Sequence, residues 1–126
     1  MSTTKVGERP LTLAVALDGT ILEFDYGKWR SDPLNYFGTL KKDALYVLNE
    51  LKRGQYRIII HTSRVSFGVE SGRSLEVFDG IKRVLSLYRV PYDEIWVGRG
   101  KPLADYYIDN KAICFRNWMQ VLESVK

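Results

Sequence analysis

Four positions in this chain have side chains suited to phosphate and metal chemistry: Asp18, Thr62, Lys101 and Asp109. Three of them close a short apolar run, and Lys101 stands just before the last such run. Asp18 and Asp109 are hard oxygen ligands. Two carboxylates brought to one sheet edge suit Mg²⁺, which takes few protein oxygens and leaves its other positions to water and substrate phosphate. Thr62 offers a hydroxyl, and the backbone N–H groups beside it can hold phosphate oxygens. Lys101 is a mobile point charge suited to a phosphate or a developing negative charge. Each residue also has a plain role. Asp18-Gly19 and Asp109-Asn110 make good turns, Thr62-Ser63 can cap a following segment, and Lys101 can simply be solvated. Together they point to a site, because three stand in order at strand ends and Lys101 stands just before the last strand.

The elements that would position them follow from periodicity. Residues 11–17 read as a buried strand. Residues 18–39 are rich in Gly, Pro, Asp and Asn but also hold Phe24, Tyr26, Trp29, Tyr36 and Phe37. So long an irregular stretch in a small domain is functional or has structure of its own. Leu40, Ala44, Leu45, Leu48 and Leu51 form one helical stripe over 40–53, and Gly54 stops it. Residues 56–61 are a β-rich run. A second helix fits 73–88, with Leu75, Phe78, Ile81, Val84, Leu85 and Tyr88 inward and Gly80 as a weak point. Short strands fit 94–97 and 105–108, and a last helix fits 116–125. Residues 1–10 read as a loose arm. Strands that alternate with helices and are apolar throughout predict a parallel sheet of about four strands with helices on both faces. That is a Rossmann-like three-layer α/β sandwich in a single domain. In such sheets ligands bind beyond the carboxyl ends of the strands. That edge would collect Asp18, Thr62 to Arg64, and Asp109-Asn110.

With these residues in place the chain resembles the haloacid dehalogenase (HAD) superfamily of phosphotransferases, over residues 11–118. Its first motif is an apolar strand followed by Asp-x-Asp-Gly-Thr. Ala16-Leu17-Asp18-Gly19-Thr20 matches all but the first position. The strand ending at Thr62, the Lys101-Pro102 pair, and the strand ending at Asp109-Asn110 match the second, third and fourth motifs. The spacing is most like that of small capless members from bacteria and phages. The resemblance implies a Mg²⁺-dependent phosphomonoester hydrolase acting through an aspartyl-phosphate. Position 16 would be the nucleophile. Asp18 would be general acid and base and would offer its backbone carbonyl to the metal. Asp109 would hold Mg²⁺, and Thr62 and Lys101 would grip the phosphoryl group. Gly19, Ser63 and Arg64 are the positions expected to touch substrate.

Ala16 has a methyl group where the covalent bond should form, so the chain as written should be a very poor phosphatase. Three explanations stand open. They are an engineered Asp→Ala change, a natural pseudoenzyme that binds phosphate compounds or a partner, and a different α/β domain. Only about 40 residues separate Asp18 from Thr62, and about as many separate Thr62 from Lys101, so neither interval holds a full cap. An open site admits large substrates, or a neighbouring subunit could cover it in a homo-oligomer. The segment 19–39 is the candidate flap, and Tyr26, Trp29 and Tyr36 are candidates to stack on a base. A nucleotide or a nucleic-acid end is the favoured substrate. His61 is expected to be a satisfied core residue.

Composition sets the outer limits. Hydrophobic residues are 45% and charged residues 27%, which is ordinary for a globular domain. The formal charge of +4 is compatible with an anionic partner, but the basic residues are scattered rather than blocked. No apolar run reaches the length of a membrane span. With one cysteine, Cys114, and no apolar leader at the start, the expectation is a cytoplasmic protein.

Overall fold

The two apolar runs that carry Asp18 and Thr62 lie side by side at the centre of the sheet. A computed structural model describes residues 5–6, 9–110 and 117–119. In chain order the elements are β1 (Lys5–Val6), β2 (Arg9–Pro10), β3 (Thr12–Ala16), α1 (Tyr26–Ser31), α2 (Ala44–Arg53), β4 (Arg57–His61), α3 (Arg64–Ser71), α4 (Ser74–Leu87), β5 (Glu94–Ile95) and β6 (Tyr106–Ile108). The last four strands form a parallel sheet in the order β5-β4-β3-β6. Parallel neighbours cannot be joined by a tight turn, and α2 and α4 lie in the crossovers that return the chain. The architecture is a Rossmann-like α/β fold, as the alternation of elements predicts.

Leu13 and Val15 of β3 pair in register with Ile58 and Ile60 of β4. Leu48 of α2 and Val77, Ile81, Val84 and Leu85 of α4 belong to the same buried cluster. Ala14 and Ile59, which point the other way along these strands, are also buried. Burial on both faces is why the strands read as unbroken apolar runs.

Several expectations are corrected. The helix expected over 40–53, α2, starts at Ala44, because Asp43 takes a left-handed φ of 64°. Leu40 instead bridges to Leu22. Leu75 is 78% exposed. The inward stripe of α4 runs through Val77, and Leu75, two residues away, is turned about 200° from it. Residues 64–71, for which no helix was expected, form α3. Gly68 packs α3 closely on α4, since a Cβ there would lie 3.1 Å from Val77. Within the expected arm, β1 pairs with β2, and Arg9 makes a two-pronged ion pair with Asp105 at 2.9 Å. Asp105 also accepts from the Thr12 N–H, and with Arg9 as the larger cause its carboxyl is held at about 2. This carboxylate ties the start of β6 to β3. The final helix expected over 116–125, apart from residues 117–119, and Cys114 lie outside the described residues. No described helix is long and apolar enough to cross a membrane.

Candidate active site

At the carboxyl edge of the sheet a cleft of about 760 Å³ collects Ala16, Asp18, Gly19, Thr62, Ser63, Arg64, Lys101 and Asp109. All eight residues that the sequence singles out therefore line one cavity. They come from the ends of β3, β4 and β6 and from the loop before β6. Its size falls within the range of pockets that hold a drug-sized ligand.

The turn after β3 is built on one carbonyl. The N–H groups of Ile21 and Leu22 both donate to Leu17 O at 3.0 Å, and the Gly19 N–H donates to Leu22 O at 2.7 Å. Gly19 has φ +80°, and a Cβ on it would lie 2.7 Å from Asn110 Nδ2. The left-handed backbone favours glycine here, and a Cβ would also push the Asn110 side chain aside. Asn110 also donates its backbone N–H to Thr20 Oγ1, which joins the end of β6 to this turn.

The floor is an ion pair that the sequence did not lead us to expect. Arg64 is 3% exposed, and it grips both oxygens of Asp18: Nε to Oδ2 at 2.7 Å and Nη2 to Oδ1 at 3.0 Å. Its guanidinium lies over the Phe37 ring, 4.1 Å from the centroid. Phe37 in turn sits against Gly80, where a Cβ would come within 3.3 Å of the ring. The glycine that weakens α4 on propensity grounds is thus what admits Phe37. A chain of contacts runs from α4 through Phe37 and Arg64 to Asp18. Arg64, expected to touch substrate, is committed to Asp18. Thr62 Oγ1 accepts from the Arg64 backbone N–H at 3.2 Å and reaches toward Asp18 Oδ2 at 3.4 Å. It thus caps the start of α3, whose first turn faces the cleft through Ser63, Val65 and Ser66. Ser63 makes no side-chain capping bond.

His61 stands beside Ala16 in the β3–β4 register and lines the cleft. Among the described residues its Nε2 is a buried polar atom without a partner, so it is not the satisfied core residue expected. Burial pushes its pKa below the usual 6.5. Asp109 opposes that shift and Lys101 adds to it. Lys101 is exposed, with Nζ 5.8 Å from the Tyr107 ring centroid.

The segment 19–39 contains a short helix, α1, rather than a bare loop. Asp25 caps α1 by accepting from the Lys28 N–H at 3.0 Å. Its aromatics pack on each other and on α3: Phe24 on Trp29 and Tyr36, Tyr26 on Trp29, and Trp29 edge-on to Phe67 at 5.6 Å. Phe24, Tyr26 and Trp29 also line the cleft. Tyr36 is not among the lining residues, and its hydroxyl accepts from the Asp25 N–H. Sequence reasoning passed over Lys41 and Trp96, which also line the cleft. Trp96 directly follows β5, so the strand-end rule that found the other residues applies to it as well.

A resident Mg²⁺ would need several oxygen donors here. Position 16 has no side-chain oxygen, and both Asp18 carboxylate oxygens are taken by Arg64. Among the described residues no group of three His, Cys, Asp or Glu side chains converges as a metal site. Among the described residues the side chains as they stand do not complete a Mg²⁺ site. Among the described residues Asp109 and Glu23 are the other acidic side chains that line the cleft, and a divalent ion needs several more oxygens.

No family model matches this chain, and no curated protein matches it. Two solved structures do. One is a conserved protein from Bacteroides thetaiotaomicron, with TM-score 0.58, 21% identity, 91% of this chain and 88% of that chain covered. The other is a structural-genomics target from Vibrio cholerae, with TM-score 0.52, 24% identity, 92% and 99% covered. At these identities the likeness establishes the fold: an α/β protein with a Rossmann-like parallel sheet.

Proposed function

We propose that the cleft is a phosphomonoester site of the HAD type that holds its ligand without turning it over. The observation that carries this is the convergence of Ala16, Asp18, Thr62, Lys101 and Asp109 on one cavity at the carboxyl edge of the sheet. Lys101 supplies a mobile cation, and the first turn of α3 supplies backbone N–H groups at the positive end of a helix dipole. Thr62 orients that turn. A nucleotide or a nucleic-acid end is the proposed ligand class, because aromatic rings stand beside these polar groups. With Ala16 in place no bond to phosphorus forms, and the ester stays intact. With a carboxylate at position 16, the same scaffold would have a nucleophile and a further oxygen ligand for Mg²⁺, and would act as a phosphatase.

A second reading, a natural non-catalytic binding module, is favoured by one observation. Asp18 is held by both oxygens in a buried ion pair, which opposes its service as a general acid. Release of phosphate from an aryl phosphate and a nucleotide panel, with and without Mg²⁺, separates the two. The samples are this chain and its Ala16→Asp variant. Turnover by the variant alone, dependent on Mg²⁺, identifies a phosphatase scaffold silenced at its nucleophile. A folded variant that binds phosphate but does not turn over identifies a binding module. A folded chain that neither binds nor releases phosphate refutes both.

A further inference from the structure

Lys41 plays no part in the phosphate site just described, yet it lines the same cleft. It is half-buried and its backbone N–H is fixed to Ile21 O at 2.8 Å, so its position is set by the turn that follows Asp18. Among the described residues its ammonium makes no ion pair, whereas the third cation of the cleft, Arg64, is spent on Asp18. Lys101 approaches from the loop before β6 and Lys41 from the start of the α2 segment. Among the described residues the cleft therefore has two lysines outside any ion pair, on different segments. Glu23, Phe24, Tyr26 and Trp29 also line it, and Tyr26 is 62% exposed. A partly buried lysine held without a carboxylate partner is positioned for an anion. A free nucleotide with one phosphate needs one such cation.

Building on the phosphate-site reading, we propose that Lys41 is a second anion subsite that takes an internal phosphodiester. The ligand would then be a nucleic-acid strand end with a terminal phosphate, not a mononucleotide. The terminal phosphate lies at Lys101 and the first turn of α3, the adjoining diester at Lys41, and a base stacks on Tyr26 and Trp29. The chemistry matches single-strand recognition, in which cations track the backbone and aromatic faces take bases without reading their edges. A phosphopeptide would use the two cations but gain little from the rings.

The test measures binding to this chain of inorganic phosphate, thymidine monophosphate, a 5′-phosphorylated dithymidylate and a phosphoserine peptide with a second acidic residue. Isothermal titration at two salt concentrations reads affinity and salt dependence together. The dinucleotide should bind about tenfold tighter than the mononucleotide. Lys41→Ala should abolish most of that advantage and leave inorganic phosphate binding unchanged. Lys42→Ala, at an exposed neighbour outside the cleft, should change neither. Tyr26→Ala, at an exposed position whose ring contact is with Trp29, should weaken the dinucleotide by about fivefold and spare phosphate. Equal binding of mononucleotide and dinucleotide, or equal effects of the Lys41 and Lys42 variants, overturns the inference and leaves the phosphate site standing. A peptide that matches the dinucleotide and depends on Lys41 overturns the nucleic-acid assignment. Loss of inorganic phosphate binding in this chain would sink the phosphate-site reading and the inference with it.

Discussion

Arg64→Leu should cost about 3 kcal/mol of folding stability, because the change strands the Asp18 carboxylate against an apolar side chain. The figure follows from the burial of the two partners. The Arg64 side chain is 3% exposed and that of Asp18 is 16% exposed. Removing one member of a buried, two-pronged pair costs about 3–5 kcal/mol, and the partial exposure of Asp18 lets water return, which favours the lower end. For a chain of 126 residues this is a fall in melting temperature of about 12 °C. Asp18→Leu should do comparable damage, since it leaves a buried guanidinium with the Phe37 ring and one long hydrogen bond to Pro33 O at 3.5 Å. The double variant should return to within about 1 kcal/mol of the parent, as apolar residues of similar volume commonly replace a buried pair at little net cost. Urea unfolding followed by far-ultraviolet circular dichroism reads all four proteins, and the cycle isolates the coupling. The reasoning is refuted if Arg64→Leu stays within about 1 kcal/mol of the parent, or if the two single losses add in the double variant.

Three other outcomes are expected. Gly38→Ala should cost several kcal/mol and separate the two ends of the 23–39 segment, since its Cβ would lie 1.8 Å from the Glu23 carbonyl oxygen; a melting temperature within about 4 °C of the parent would contradict this. Stability should fall as the pH drops below about 6.5, because burial keeps the His61 imidazole below that value and the unfolded chain takes the proton first. The His61→Leu variant should show a flatter profile between about pH 7 and 5, and an unchanged slope would remove His61 as the cause. Lys101→Ala should weaken inorganic phosphate binding by about tenfold without moving the unfolding midpoint, as an exposed side chain with no ion pair among the described residues carries little stability; unchanged affinity by isothermal titration would take Lys101 out of the site.

The amino-acid pattern was enough for the four parallel strands, for α2 and α4, and for the sheet edge at which ligands are expected. Unbroken apolar runs such as residues 11–17 exist because both sheet faces are covered, and that burial leaves its mark in composition. Asp18, Thr62 and Asp109 were legible because the end of a parallel strand is a sharp change from apolar to polar. Lys101 was legible from its place just before the last strand, and the Lys-Pro pair as a motif came with the family resemblance. The partners of these residues follow from packing. That Arg64 grips Asp18 depends on the direction in which α3 leaves β4, and α3 has no strong helical stripe to announce it. That Gly80 serves Phe37, and Phe37 serves Arg64, depends on three segments meeting, which no local pattern encodes. Lys41 and Trp96 reached the cleft in the same way. Spacing along a chain reports which residues share an element. Distance across a cleft is set by how the elements pack, and that is a property of the whole fold.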